Sequence, residues 1–336
     1  MQVEPDSLEA WARLHQDDRV AVVGLGGAGC EAVHDLKGLG LPGVPTIAIN
    51  TDASHLLRLE TSERILLGQR RLKGRGSGGD RALVLEGAEE AREELLRRLS
   101  RYEIAFLLAG LGGGTGSALL PYLTAALRPT NTLAVPVAFL PFRIELDSSP
   151  ERRSNALEAL AELEGMGGLL LALSNEKLRR FEALPISKVL HVRNAYLHSL
   201  VSGLVDMVEH PSQLNVDLAS LKWHLKDSGL STLLLSEEHI SEPERLVHQA
   251  LTETLLDFEL TDAPSALVHV DGGSNLTLRT VDRVWRAMRH RLGEPRRMLV
   301  GTRTYSEPRE VVRLTAVVGG LRPRSVRDAL LPLPAR

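Results

Sequence analysis

The sequence predicts an α/β fold: an N-terminal Rossmann-like parallel sheet, a long central helix, and a smaller C-terminal α/β domain with a mixed sheet. Three observations predict it. From residue 19 to residue 187, short apolar runs alternate with helix-like stretches. Three glycine-rich loops follow apolar runs in that half of the chain. From about Ser231 the layout changes, and four strand-like runs share the remaining chain with two helical ones.

Taken in order, residues 19–23 form a short apolar strand that runs into Gly-Leu-Gly-Gly-Ala-Gly at 24–29 and a helix over 30–39. This is G-x-G-x-x-G between a strand and a helix, the pattern that lays a helix N-terminus against phosphate. Residues 45–49 and 64–67 are the next strands; Asn50, Thr51 and Asp52 close the first of them, where open α/β sheets bind ligands. A second glycine loop spans 74–79, and one long charged helix is expected over 81–100, with Glu and Arg three and four apart. The strand 104–108 leads into the richest loop, with five glycines among positions 110–116, and a helix over 118–127. Strands 133–140 and 168–173 enclose a helix over 151–163. Over 188–208, Val189, Val192, Tyr196, Leu200, Leu204 and Val208 recur at spacings of three and four, which predicts the central helix. Strands at 232–235, 266–270, 297–300 and 311–318 and helices at 243–256 and 280–292 complete the C-terminal domain. The expected boundaries are an extension 1–18, a nucleotide domain 19–187, the central helix and a loop 188–230, the C-terminal domain 231–320 and a poorly ordered tail 321–336.

Composition narrows the function. The 336 residues carry 43% hydrophobic and 25% charged side chains and a formal charge of −3, so no nucleic-acid partner is expected. Aromatic residues are 4%, too few for base-stacking platforms. Cys30 is the single cysteine, which excludes an internal disulfide and fits a reducing compartment; a cytoplasmic location is expected. Eleven histidines show no ligand spacing, and no protein-held metal is expected. No apolar run approaches the ~20 residues of a membrane span, and the first residues lack a signal-peptide layout.

Glycine loops free of Cβ atoms can turn several N–H groups into one concavity, and three of them suggest a triphosphate. No Gly-Lys-Ser or Gly-Lys-Thr triplet occurs, so backbone amides and helix ends would hold it. A rival reading takes 24–29 with Asp52 as a dinucleotide site, Asp52 accepting from a ribose, which would make the chain an NAD(P)-dependent oxidoreductase. Cys30 beside the first loop reads as a packing residue rather than a nucleophile.

Taken together, these motifs resemble the FtsZ/tubulin superfamily, and FtsZ-like proteins most closely. Gly112, Gly113, Gly114, Thr115 and Gly116, followed by Ser117, resemble its signature phosphate loop; Ala118 stands where a last glycine is usual. Gly26, Gly27, Ala28 and Gly29 resemble the first phosphate loop, Asn50 and Asp52 the second, and Ser77 and Gly78 the loop that senses the γ-phosphate. Glu145 after Pro141 and Phe142 resembles the ribose segment. Arg152 matches the arginine that follows, at a longer spacing than usual. Asn175 looks like the guanine-reading asparagine, Asn194 sits where the family places a second base-edge Asp or Asn, and Leu190 stands in for a base-stacking phenylalanine. The likeness runs from residue 19 to residue 321.

The resemblance implies binding of GTP/GDP with Mg²⁺, head-to-tail filaments, and hydrolysis completed by the neighbouring subunit. The loop that would complete it carries Asn215 and Asp217, the catalytic candidates, while Ser220 replaces the second acidic residue. Serine is a poor general base, so slow hydrolysis is expected, with Asp227 a poorer substitute. Structural readings stand beside these: Asp217 and Asn175 as helix caps, Glu145 as a solvated loop charge. Two alternatives remain open, a GTP-binding scaffold or switch with negligible turnover and the oxidoreductase. Only sixteen residues follow the fold-like pattern, too few for the linker and tether-binding peptide of division FtsZ proteins, so contact with membrane would need a tether or accessory protein. The role would be cell division, membrane remodelling or cell shape.

Overall fold

The computed structural model describes residues 19–209, 218–226, 228–256, 263, 265–321 and 330. The chain divides into two compact units, residues 1–109 with 114–136, and residues 110–113 with 137–336.

In the first unit, β1 (Val20–Leu25), β2 (Thr46–Asn50), β3 (Glu63–Leu66) and β4 (Ile104–Gly110) lie in the order β3-β2-β1-β4, all parallel. Val23 stands opposite Ile47, and Val22 opposite Phe106. Every residue of β1 and β2 is buried, as strands covered on both faces by helices must be. The helices are α1 (Gly26–Leu39), α2 (Ala53–Leu57), α3 (Gln69–Leu72), α4 (Arg81–Glu90), α5 (Arg92–Leu99) and α6 (Gly114–Leu127). Helices α1 and α6 each start four residues earlier than expected, because the last glycines of their loops already take helical angles. The expected single helix over 81–100 is two, broken where Ala91 leaves helical geometry at φ −99° and ψ 6°. Helices α2 and α3, of five and four residues, are too short to show a period.

In the second unit, β5 (Leu133–Leu140, counted here from Val137), β6 (Leu170–Ser174), β7 (Leu230–His239), β8 (Ser265–Gly272), β9 (Arg297–Thr304) and β10 (Val311–Gly319) take the order β5-β6-β7-β10-β8-β9. The β5–β6, β6–β7 and β8–β9 pairs are parallel; β10 is antiparallel to β7 and β8. The sheet is mixed, as expected. Its helices are α7 (Arg143–Ser148), α8 (Pro150–Gly165), α9 (Ile186–Glu209), α10 (Leu218–Lys226), α11 (Pro243–Thr252) and α12 (Leu278–Arg291), with a 3-10 helix over Asn175–Phe181. The division between the two compact units falls within β5, and β6 is laddered to strands on both sides. Helix α11 stops at Thr252, four residues before the expected end; the Leu255 carbonyl instead accepts the Ser174 N–H at 2.7 Å. Of the tail 321–336, Leu321 and Leu330 are described, and both are buried. Asn215, Asp217 and Asp227 lie outside the described residues.

The buried stripe of α9 is Val189, Leu197, Leu200, Val201 and Leu204, while Val192 and Tyr196 are half-buried. The position between Val189 and Leu197 on that stripe holds Arg193, 3% exposed. Further along, α9 faces a polar cluster. His269 of β8 is 1% exposed and its Nδ1 lies 3.6 Å from Asp271 Oδ1. Gly203 admits this ring, since a Cβ there would stand 3.1 Å from Nδ1. Asp206 of α9 pairs with Arg303 of β9.

Burial, helped by Arg303, pushes the His269 pKa down to about 4 against the opposing pull of Asp206. Burial and Asp206 push Asp271 up to about 6. In α10, burial and Arg297 hold His224 at about 4. The signs differ. Each histidine takes its proton first in the unfolded chain, so its stability contribution falls as pH drops from 6.5 to about 4. Asp271 takes its proton first in the folded chain, so it adds stability as pH drops through about 6. His269 and Asp271 are each worth up to about 3 kcal/mol at full effect, with opposite signs. In urea unfolding between pH 7 and pH 4, His269→Gln is expected to lose less stability than the native chain, and Asp271→Asn more. Parallel pH profiles for all three proteins would contradict this assignment.

Candidate nucleotide site

The first unit is built so that glycine loops touch backbone to backbone. A Cβ on Gly24 would lie 2.4 Å from the Gly29 carbonyl oxygen, and one on Gly29 would lie 2.0 Å from the Leu108 carbonyl oxygen of β4. Gly26 has φ +69°, and its Cβ position is 2.8 Å from the Gly116 nitrogen. A Cβ on Gly114 would fall 2.4 Å from Ser77 Oγ. The loops at 24–29, 77–79 and 114–116 are thereby held against one another. Gly27, Ala28 and Gly78 face outward, and beside Gly27 and Gly78 a Cβ would meet nothing within 4 Å. Two 14-residue helices, α1 and α6, begin in these loops and bring unpaired N–H groups to them. Thr51 and Thr115 share a buried hydroxyl–hydroxyl bond of 2.9 Å, tying the end of β2 to the start of α6.

Asn50 and Asp52 have local duties. The Asn50 side-chain oxygen accepts the Thr51 N–H at 2.8 Å, and its amide nitrogen lies 3.2 Å from His55 Nδ1. Asp52 Oδ1 accepts the His55 N–H at 3.0 Å and caps α2. That oxygen serves a helix end. Cys30 is buried, its thiol 3.3 Å from the Gly24 carbonyl and 3.4 Å from that of Ile49; burial pushes its pKa up to about 12. It is a packing residue and no nucleophile.

In the second unit, Gly112 has φ +103° and packs on α8, its Cβ position 3.3 Å from the Arg152 carbonyl oxygen. The buried Asn155 amide donates to the Gly112 carbonyl at 3.3 Å, and Gly113 stands exposed beside it. Glu145 accepts the Phe142 N–H at 3.1 Å and an Arg152 N–H at 3.0 Å. The long sequence spacing between Glu145 and Arg152 is taken up by the turn from α7 to α8. The Glu145–Arg152 pair is solvent-facing, with side chains 36% and 51% exposed, and contributes little stability by itself.

Asn175 opens the 3-10 helix that follows β6 and Asn194 lies on α9; both are buried. Arg193 joins them. Its Nη1 donates to Asn175 Oδ1 at 3.1 Å, and its Nε and Nη2 donate to Asn194 Oδ1 at 3.2 and 3.1 Å. Its guanidinium lies 3.8 Å over the Phe139 ring, a cation–π arrangement. Leu190, one turn earlier, is half-buried. Ser220 sits half-buried on α10; Asn215 and Asp217 are outside the described residues.

Thr51, Asn155, Arg193 and Phe139 were not among the expected site residues. Arg193 left a signal in the sequence, a charge at i+4 from Val189 and i−4 from Leu197 on an apolar stripe. Asn155 left none.

Glycine loops at strand carboxyl ends, with helix N-termini opening from them, define a nucleotide-binding α/β protein. Residues 19–182 match the tubulin/FtsZ family GTPase domain, and residues 236–322 match the FtsZ family C-terminal domain. The chain belongs to the tubulin/FtsZ family, and is a GTPase-fold protein of that cytoskeletal class. It is 32% identical to cell division protein FtsZ 1 of Methanocaldococcus jannaschii over 96% of this chain and 89% of that protein. Among solved structures it resembles an empty FtsZ dimer from M. jannaschii, with a TM-score of 0.79, 31% identity and 95% and 93% of the two chains covered. It shares its fold with CetZ2 from Haloferax volcanii, solved as a GTPγS-bound protofilament, with a TM-score of 0.77 at 23% identity over 93% and 96% of the chains. Among the described residues, no helix is long and apolar enough to cross a membrane.

Proposed function

We propose that this chain binds GTP and GDP, assembles head to tail, and hydrolyses GTP slowly with help from the next subunit. The observation that carries the reading is the mutual packing of the loops at 24–29, 77–79 and 114–116, a cradle that side chains would fill at Gly26, Gly29 and Gly114. Gly27, Ala28, Gly78 and Gly113 are exposed, which leaves their backbone open to phosphate oxygens. Asn175 and Asn194 would meet the base, Leu190 would cover its face without aromatic stacking, and Glu145 with Arg152 would meet the ribose. Mg²⁺, held by the phosphates, would neutralise charge that develops on them. Asn215 and Asp217 of the incoming subunit would position the attacking water; Ser220 adds no charge there. A nucleotide held by one subunit and completed by a loop of the next would make a heterologous contact, which propagates as a filament. The M. jannaschii FtsZ dimer and the CetZ2 protofilament support self-association.

We place this assembly in the cytoplasm, in division or in shaping the cell or its membrane, with any membrane contact made through a tether or accessory protein. Purified protein with GTP, GDP or no nucleotide, followed by electron microscopy and phosphate release, tests the core of the reading. Filaments with GTP and slow phosphate release are expected. Tight NAD binding without GTP binding would overturn it. Phosphate release as fast as that of a division FtsZ would overturn the slow-hydrolysis part alone.

A further inference from the structure

We propose that His55 is a positioning residue for the phosphate cradle, acting as a hydrogen-bond acceptor at Nδ1 in a tautomer that Glu31 selects. The inference rests on the reading of the glycine loops as a GTP phosphate site. The assignment starts from a backbone group whose role is fixed. The Thr51 N–H can only donate, so the Asn50 amide atom 2.8 Å from it is the oxygen. The Asn50 nitrogen then faces His55 Nδ1 at 3.2 Å. An amide nitrogen donates and does not accept, so Nδ1 carries the lone pair and the proton of the neutral ring sits on Nε2. Nε2 lies 2.9 Å from Glu31 Oε1, a carboxylate oxygen that accepts from it. The series Glu31, His55, Asn50, Thr51 has one consistent direction of donation.

The series ends on a residue that joins the loops. Thr51 is buried, and its hydroxyl meets that of Thr115 at 2.9 Å, at the start of α6. Its carbonyl accepts the Gly76 N–H at 3.1 Å, from the loop at 74–79. The Thr51 peptide therefore sets how two of the glycine loops stand relative to the end of β2. His55 is brought to Asn50 by the first turn of α2, where Asp52 Oδ1 accepts the His55 N–H at 3.0 Å. The Asn50 side chain is buried, so the pairing with His55 is shielded from competing water.

The two ring nitrogens thus have different duties. Without the acceptor at Nδ1, the Asn50 amide loses what holds its oxygen toward the Thr51 N–H. The loops then hold the cradle geometry in a smaller fraction of chains, and apparent nucleotide affinity falls with that fraction. Two substitutions separate the nitrogens. Asparagine places an amide oxygen near the position of Nδ1, so His55→Asn keeps the acceptor and gives up Glu31. Glutamine places its amide near the position of Nε2, so His55→Gln keeps a donor toward Glu31 and gives up the acceptor. Helix propensity favours glutamine over asparagine in α2, so it opposes the expected order.

Calorimetric titration of the full chain with GTP, paired with thermal melting, tests this. His55→Asn is expected to bind GTP about 3- to 10-fold more tightly than His55→Gln, the worth of one hydrogen bond. Equal affinities, or tighter binding by His55→Gln, would overturn the inference, because a residue that only fills space does not distinguish its two nitrogens. The native chain carries a second test that stands even if neither variant folds. Nitrogen NMR of His55 at alkaline pH, where imidazoles are neutral, is expected to show a protonated Nε2 and a bare Nδ1. A protonated Nδ1 would overturn the inference. Glu31→Ala removes a side chain that is 56% exposed, and the Nδ1-protonated form is expected to appear in its spectrum. A ring that keeps its Nε2 proton in full without Glu31 would overturn the role given to that carboxylate. Absence of GTP binding by the native chain would fail the phosphate-site reading itself, whatever the nitrogen spectrum shows.

Discussion

Gly29→Ala is expected to destabilise the protein by about 3 kcal/mol or more and to abolish GTP binding. The added Cβ would sit 2.0 Å from the carbonyl oxygen of Leu108, an atom of β4 that is fixed by its ladder to β1. No side chain can move aside; α1 would have to lift off the sheet. The neighbouring Gly24 has no room to yield either, its own Cβ position lying 2.4 Å from the Gly29 carbonyl oxygen. Gly27→Ala is the informative contrast. Nothing stands within 4 Å of its Cβ position, so stability should change by no more than about 0.5 kcal/mol. The methyl group would project from the outward face of the loop, and GTP affinity should still fall. Urea midpoints paired with GTP titrations separate the two outcomes. Normal binding by a well-folded Gly29→Ala would refute the packing argument, and normal binding by Gly27→Ala would remove the outward face of this loop from the phosphate site.

Asp217→Ala is expected to lower GTP turnover by about 100-fold or more while GTP affinity stays native. The size follows from what a positioned general base contributes, roughly 10²- to 10⁴-fold, with no second carboxylate to share the task. On the proposed reading of this loop, Ser220 stands where the family places one. Ser220→Asp should raise the native rate by about 10-fold, because a second negative charge near the water restores part of that contribution. Phosphate release is read at equal filament mass, so that assembly and chemistry are not confounded. An Asp217→Ala chain that forms filaments and turns over at the native rate would exclude this loop from hydrolysis. A Ser220→Asp chain no faster than native would remove the explanation for slow turnover.

Much of the fold was legible because parallel strands buried on both faces read as unbroken apolar runs; β1, β2, β4 and β5 all show it. The C-terminal strands were located as well, but each extends beyond its apolar centre. Polar ends such as Glu237 and Glu238 on β7 are held by ladder hydrogen bonds that carry no signature in residue type. The helix starts were misplaced where glycine was taken for loop. Gly26 and Gly114 open helices, since glycine accepts helical angles when neighbours hold it there.

The glycine loops, the two asparagines, Glu145 with Arg152 and the unusual Ser220 were all determined by the sequence alone. Residue type and chain order carry that information, and the likeness to a GTPase family follows from it. The tertiary structure decided which of these groups have their hydrogen-bonding atoms committed. Asp52 caps α2, and Asn175 and Asn194 both turn their oxygens to Arg193. Asn175 and Arg193 are 18 positions apart in the chain, and the direction of an amide is set by whichever donor the fold places beside it. No local pattern encodes that choice, because it depends on the packing of β6, α9 and the Phe139 ring into one buried contact.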